Sequence, residues 1–146
     1  MSKIPLVVRK DIKDAEAVNA EHLLKINATL GTNWALEIDY AAFYEQIKDT
    51  HPDYAPQVGS VSTWYMASLA QAISSFVQKD DMYKDALVEE VSANAIKAFK
   101  VVPQNTYDST VHNKIAFEDG KLVIIVPENL IAVNIDDLGN TLEESL

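Results

Sequence analysis

Apolar positions recur most regularly between Ser60 and Gln78. Val61, Trp64, Tyr65, Ser68, Leu69, Ala72, Ile73, Phe76 and Val77 keep the three-and-four spacing of one wide helical face. The other side carries Thr63, Ala67, Ala70, Gln71, Ser74 and Ser75, small or neutral residues that tolerate neighbours. From Tyr54 to Gln78 the chain has no charged residue. The pattern predicts a central helix with protein on more than one side. Its serines and glutamines argue against a membrane span, which needs about 20 mostly apolar residues.

Upstream, Ile4 to Arg9 is β-branched and extended by Pro5, which predicts a strand or an ordered arm. Asp11 then has the character of a helix cap, with Asp14 and Glu16 in a first turn where carboxylates favour the dipole. Ile12, Ala15, Val18 or Asn19, His22 or Leu23, Ile26 and Leu30 hold helical spacing, and Gly31 supplies a left-handed stop. The sequon Asn27-Ala28-Thr29 falls inside this helix and is set aside. Trp34, Leu36, Ile38 and Tyr40 alternate with Ala35, Glu37 and Asp39, the period of a half-buried strand. A short helix from Tyr40 to Lys48 turns Tyr40, Phe43, Tyr44 and Ile47 to the core. His51 to Pro56 is a loop, because each residue before a proline is pushed out of the α region.

Beyond the central helix, Asp80 or Asp81 caps a helix with Tyr83, Leu87, Val88, Val91 and Ala95 on one stripe. Residues 96 to 102 either extend it or form a strand, and Pro103 to Thr110 is a loop. Asp119-Gly120 between two apolar runs is a type I′ hairpin signature. It sets Phe117 against Leu122, Ile115 against Ile124 and Asn113 against Val126, with Lys114, Ala116, Val123 and Ile125 on the second face. Pro127 to Asn129 makes a turn and Leu130 to Ile135 a third strand, while Thr141 with Glu144 fits a capping box. The expected fold is α+β in one domain, residues 1–146. N-terminal helices pack on one face of a mostly antiparallel sheet whose C-terminal part is a three-stranded β-meander.

Composition narrows the function classes. The net charge of −10 disfavours a phosphate backbone as partner, since that needs clustered cations; a basic protein partner, or simple solubility, fits better. Without cysteine there is no thiol chemistry. The amino-terminal apolar run, Ile4 to Val8, is too short for a signal segment, so the expected setting is cytoplasmic with no membrane partner. Gly-rich phosphate loops, paired-histidine zinc helices, elbow serines and Ca²⁺ loops are all missing from the sequence. His22, His51 and His112 have no ligand spacing, and no metal or other cofactor is expected.

Two constellations remain. Glu37 and Asp39 point the same way from one strand face and could hold a cation or split their pKa values for acid-base work, although a solvated strand face explains them with no further assumption. Trp34, Tyr40, Phe43, Tyr44, Tyr54, Trp64 and Tyr65 fall within 32 residues around the loop bearing His51. They are an aromatic core, or else they line a pocket. The expectation is a non-enzymatic acidic protein that acts by association, as a homodimer or with a basic partner, through the second sheet face or an edge strand. The alternative is a small-molecule binder or small enzyme, with Trp34, Tyr40, Tyr44, His51, Trp64 and Tyr65 as ligand-binding residues and Glu37 and Asp39 assisting.

Overall fold

The computed structural model describes residues 4–102, 113–127, 135 and 137–144. Helix α1 runs Leu6–Leu30 and opens directly after Pro5, whose φ of −56° suits the residue before a first turn. The strand or arm expected at Ile4 to Arg9 is therefore helix from Leu6 onward. Gly31 stops α1 with φ 68° and donates its N–H to the Asn27 carbonyl. Asn27 then shapes the exit: its Oδ1 accepts from the Trp34 N–H at 2.8 Å and the Thr32 hydroxyl at 2.9 Å, while its Nδ2 donates to the Trp34 carbonyl at 3.1 Å. The chain passes from that knot into strand β1, Ala35–Ile38.

Asp39 ends β1 and caps helix α2, Tyr40–Ile47, by accepting the Ala42 N–H at 3.0 Å. Phe43 and Ile47 are buried from α2, with Tyr40 and Tyr44 half-buried. After a 3-10 turn at Ala55–Gln57 comes α3, Val58–Val77, the uncharged segment. It lies inside the molecule, with Val58, Val61, Tyr65, Met66, Leu69, Ile73 and Phe76 at most 3% exposed. Burying each large side chain contributes roughly 1.5–3 kcal/mol. The buried face is turned slightly from the expected one, because Met66 and Ser62 point inward while Trp64 is 41% exposed.

Neighbours lie on several sides of α3. Toward α1, Ser62 Oγ accepts from Asn19 Nδ2 at 2.9 Å. Toward the sheet, the Tyr65 hydroxyl donates to Asn113 Oδ1 at 2.9 Å, and the Tyr65 ring meets Phe99 edge-on at 5.1 Å. The Ser68 hydroxyl donates to the Ile135 carbonyl at 3.3 Å. Helix α4, Asp81–Glu90, is capped by Asp80, which accepts the Met82 N–H at 2.8 Å. The ambiguous stretch after it is strand β2, Ala95–Val102. Strands β3, Lys114–Glu118, and β4, Lys121–Pro127, form the hairpin in the expected register, from Glu118 against Lys121 back to Lys114 against Ile125. Asp119 and Gly120 have φ of 55° and 74°, as a type I′ turn requires.

Two expectations for the sheet are corrected. Its order is β1-β2-β4-β3, with β1–β2 and β2–β4 parallel and only β3–β4 antiparallel, so the sheet is mixed and not mostly antiparallel. The three-stranded meander fails for the same reason: the second edge of β4, which a following strand would need, is taken by β2. Adjacency in sequence favoured the hairpin partner, but the helices between β1 and β2 act as the crossover that parallel pairing needs. Of the third strand expected at Leu130 to Ile135, residues 130–134 lie outside the described residues and Ile135 is in a turn; the stretch 103–110, expected as a loop, also lies outside them.

Helix α5, Asp137–Glu144, contains Thr141 in its interior, so the capping box does not form there. Thr141 Oγ1 instead accepts the Ile115 N–H at 3.2 Å and donates to the Leu138 carbonyl at 3.3 Å, which covers part of the β3 edge. In β2 the register shifts between Ala98 and Lys100, and this bulge sets Phe99 against Phe43, with centroids 4.6 Å apart. The second sheet face carries charge pairs. Lys100 binds Glu118 at 3.0 Å and Lys121 binds Glu37 at 2.9 Å. By the strand register the Lys100–Glu118 pair passes over β4 at Val123, which is 2% exposed.

Candidate functional site

The aromatic residues that lie close in sequence are distributed among separate places. Trp34 is enclosed at 2% exposure beneath the end of α1, and its indole N–H has no acceptor among the described residues. Tyr40 is drawn the other way, its hydroxyl accepting from Asn19 Nδ2 at 2.9 Å. Tyr65 is fully buried against Phe99 and Asn113. His51, Tyr54 and Trp64 form a row near the surface, with centroids 5.9 and 6.3 Å apart, and Tyr44 is half-buried on α2. Trp34 and Trp64 thus occupy opposite environments.

Both carboxylates of the strand pair have structural partners. Asp39 caps α2, and Glu37 reaches Lys121 across β2. They border an open cleft of about 530 Å³ beside the carboxyl end of β1, lined also by Ile38, Phe43, Lys97 and Phe99. Position at the end of parallel strands is a common place for small ligands. Here the polar groups diverge, with Glu37 and Asp39 already engaged.

A second opening, about 720 Å³, lies between α1 and α3 and is walled by His22, Lys25, Ala67, Gln71 and Ser74. It follows the small-residue side of α3. Burial pushes the His22 imidazole below its ordinary value; the nearby Lys25 charge acts in the same direction, and Glu21 opposes them. His112 lies outside the described residues, and among the described residues no three His, Asp or Glu come together as a cation cage.

Large apolar side chains are left open on the outer side of α1, where Leu6 is 73% exposed, Val7 65% and Leu24 70%. Its inner side buries Val8, Ala15, Ile26 and Leu30. Leu6 and Val7 sit beside Arg9, Lys10 and Lys13, a local reversal of sign on a chain of net charge −10. Leu6 and Val7 fall in the stretch expected as a strand or arm, and Leu24 lies off the one apolar stripe expected for the helix. The available signal was the surplus: more apolar positions than one face can take.

No helix among the described residues is long and apolar enough to cross a membrane. Comparisons of the chain with protein-family models, with curated proteins and with solved structures find no match.

Proposed function

We propose that this chain acts by associating with protein, without catalysing a reaction, and that the outer side of α1 is its contact surface. The observation that carries this reading is that α1 bears large apolar side chains on its outer side as well as on its inner one. One side is spent on the core, and the other leaves Leu6, Val7 and Leu24 in water. Exposed apolar side chains gathered on one element, rimmed by charge, mark interaction surfaces. A cytoplasmic setting belongs to the same reading. The second sheet face is a weaker candidate, because ion pairs span it and Val123 there is already buried. An aromatic ligand pocket has less support, since Trp34 is enclosed while Trp64 is open.

The test is site-specific photo-crosslinking of the full chain in cells, with the reactive residue at position 24 and a control at the exposed Glu89 on α4. Protein adducts at position 24 and not at 89 are expected. Equal labelling at both positions, or none, would remove the reading.

A further inference from the structure

The outer side of α1 has a regular spacing. Leu6, Lys10, Lys13, Ala17, Ala20 and Leu24 follow one another at intervals of four, three, four, three and four, and all six are exposed. That is the spacing of the seam of a helix pair, sustained for about five turns or roughly 27 Å, with lysines at two of the six positions. The series of intervals reads the same from either end. An antiparallel mate therefore meets it position for position around a two-fold axis that crosses the outer side of α1 level with residue 15.

We infer that two copies of this chain pair antiparallel along this seam of α1. The inference rests on the associative reading above and names the partner. In the antiparallel arrangement Leu6 meets Leu24 of the second copy, Lys10 lies over Ala20 and Lys13 over Ala17, so long side chains cross small ones. The flanks agree as well. Such an axis brings like flanks together, so Lys10 reaches Glu21 of the second copy on one flank and Lys13 reaches Glu16 on the other, each pair occurring twice. All four residues are exposed. A parallel pair would set Lys10 on Lys10, Lys13 on Lys13 and alanine on alanine, which is repulsive and poorly filled. Contact along one helix is small for an interface, so the dimer is a concentration-dependent one.

Because the chain has no cysteine, single cysteines report the arrangement directly. Ala17→Cys and Ala28→Cys are conservative changes at exposed sites of α1. In the antiparallel pair the two copies of position 17 are about 6 Å apart along the axis, and those of position 28 about 39 Å. A short bis-maleimide should therefore link Ala17→Cys to itself and leave Ala28→Cys monomeric. Linking at both positions would mean a parallel pair, and linking at neither, with light scattering giving a monomer at every concentration, would mean no pair; either result overturns the inference. Lys10→Glu and Glu21→Lys should each weaken the dimer about tenfold, and the double exchange should restore it. If position 24 captures other proteins in cells while the purified chain stays monomeric, the associative reading survives and the self-pairing does not.

Discussion

The carboxylate of Asp11 accepts the Ser60 N–H at 2.9 Å and the Ser60 hydroxyl at 2.6 Å, so the first turn of α3 is satisfied by a residue from the second turn of α1. The two helices touch at backbone level there. A Cβ built on Gly59 would stand 2.5 Å from the Asp11 carbonyl oxygen.

Two substitutions measure this contact by urea denaturation. Asp11→Ala should cost about 1–2 kcal/mol, as loss of a cap does. Gly59→Ala should cost about 1–3 kcal/mol by forcing the helices apart. A Gly59→Ala protein as stable as the parent would mean that α1 and α3 do not approach this closely.

The contrast between the tryptophans predicts a spectroscopic result. Acrylamide should quench the emission of a Trp34→Phe protein efficiently, because only the half-open Trp64 remains, and should barely quench Trp64→Phe. The reverse order would show that β1 and α3 are misassigned.

Asn19 joins three helices, its Nδ2 donating to the hydroxyls of Tyr40 and Ser62, while its Oδ1 is buried without a partner among the described residues. Asn19→Ala should cost about 1–3 kcal/mol, since the buried Ser62 oxygen and the half-buried Tyr40 oxygen lose their donor. Tyr40→Phe, which removes one link only, should cost less. Stability curves in which Tyr40→Phe is the more damaging change would contradict the network.

His22 gives the acid side of the stability profile a definite sign. Its folded imidazole binds a proton less readily than in the unfolded chain, so as pH falls through the ordinary imidazole value the unfolded state takes up more protons. Stability should fall with pH in that window and level off below the folded value. Thermal melts of His22→Gln should show a shallower decline there; an unchanged slope would refute the assignment.

Local features of the fold were readable from the residues. Asp119-Gly120 specifies its own turn, and the strands beside it have only one way to pair. Gly31 and Asp80 likewise act within a few residues. What could not be read was any partnership made at a distance. Asp11 has the capping chemistry attributed to it but serves a helix 49 positions away. β2 contains good strand residues without indicating that β1 and β4 flank it in parallel. The aromatic residues were grouped because they are neighbours in sequence, and the chain, passing from beneath α1 through β1 and α2 into α3, then separates them. The outer spacing of α1 begins at Leu6, in a stretch whose β-branched residues and proline pointed to a strand or arm, so it did not show as part of a helix.

The place of β2 between β1 and β4 bears on how the protein is made. A nascent chain that has released residues 1–102 from the ribosome holds every helix of the amino-terminal two-thirds, but β2 still lacks the strand that flanks it on one side. Only when Pro127 emerges can β4 slot in beside it. Synthesis halted before that point leaves an open hydrogen-bonding edge, the kind of surface that chaperones cover and that seeds aggregation.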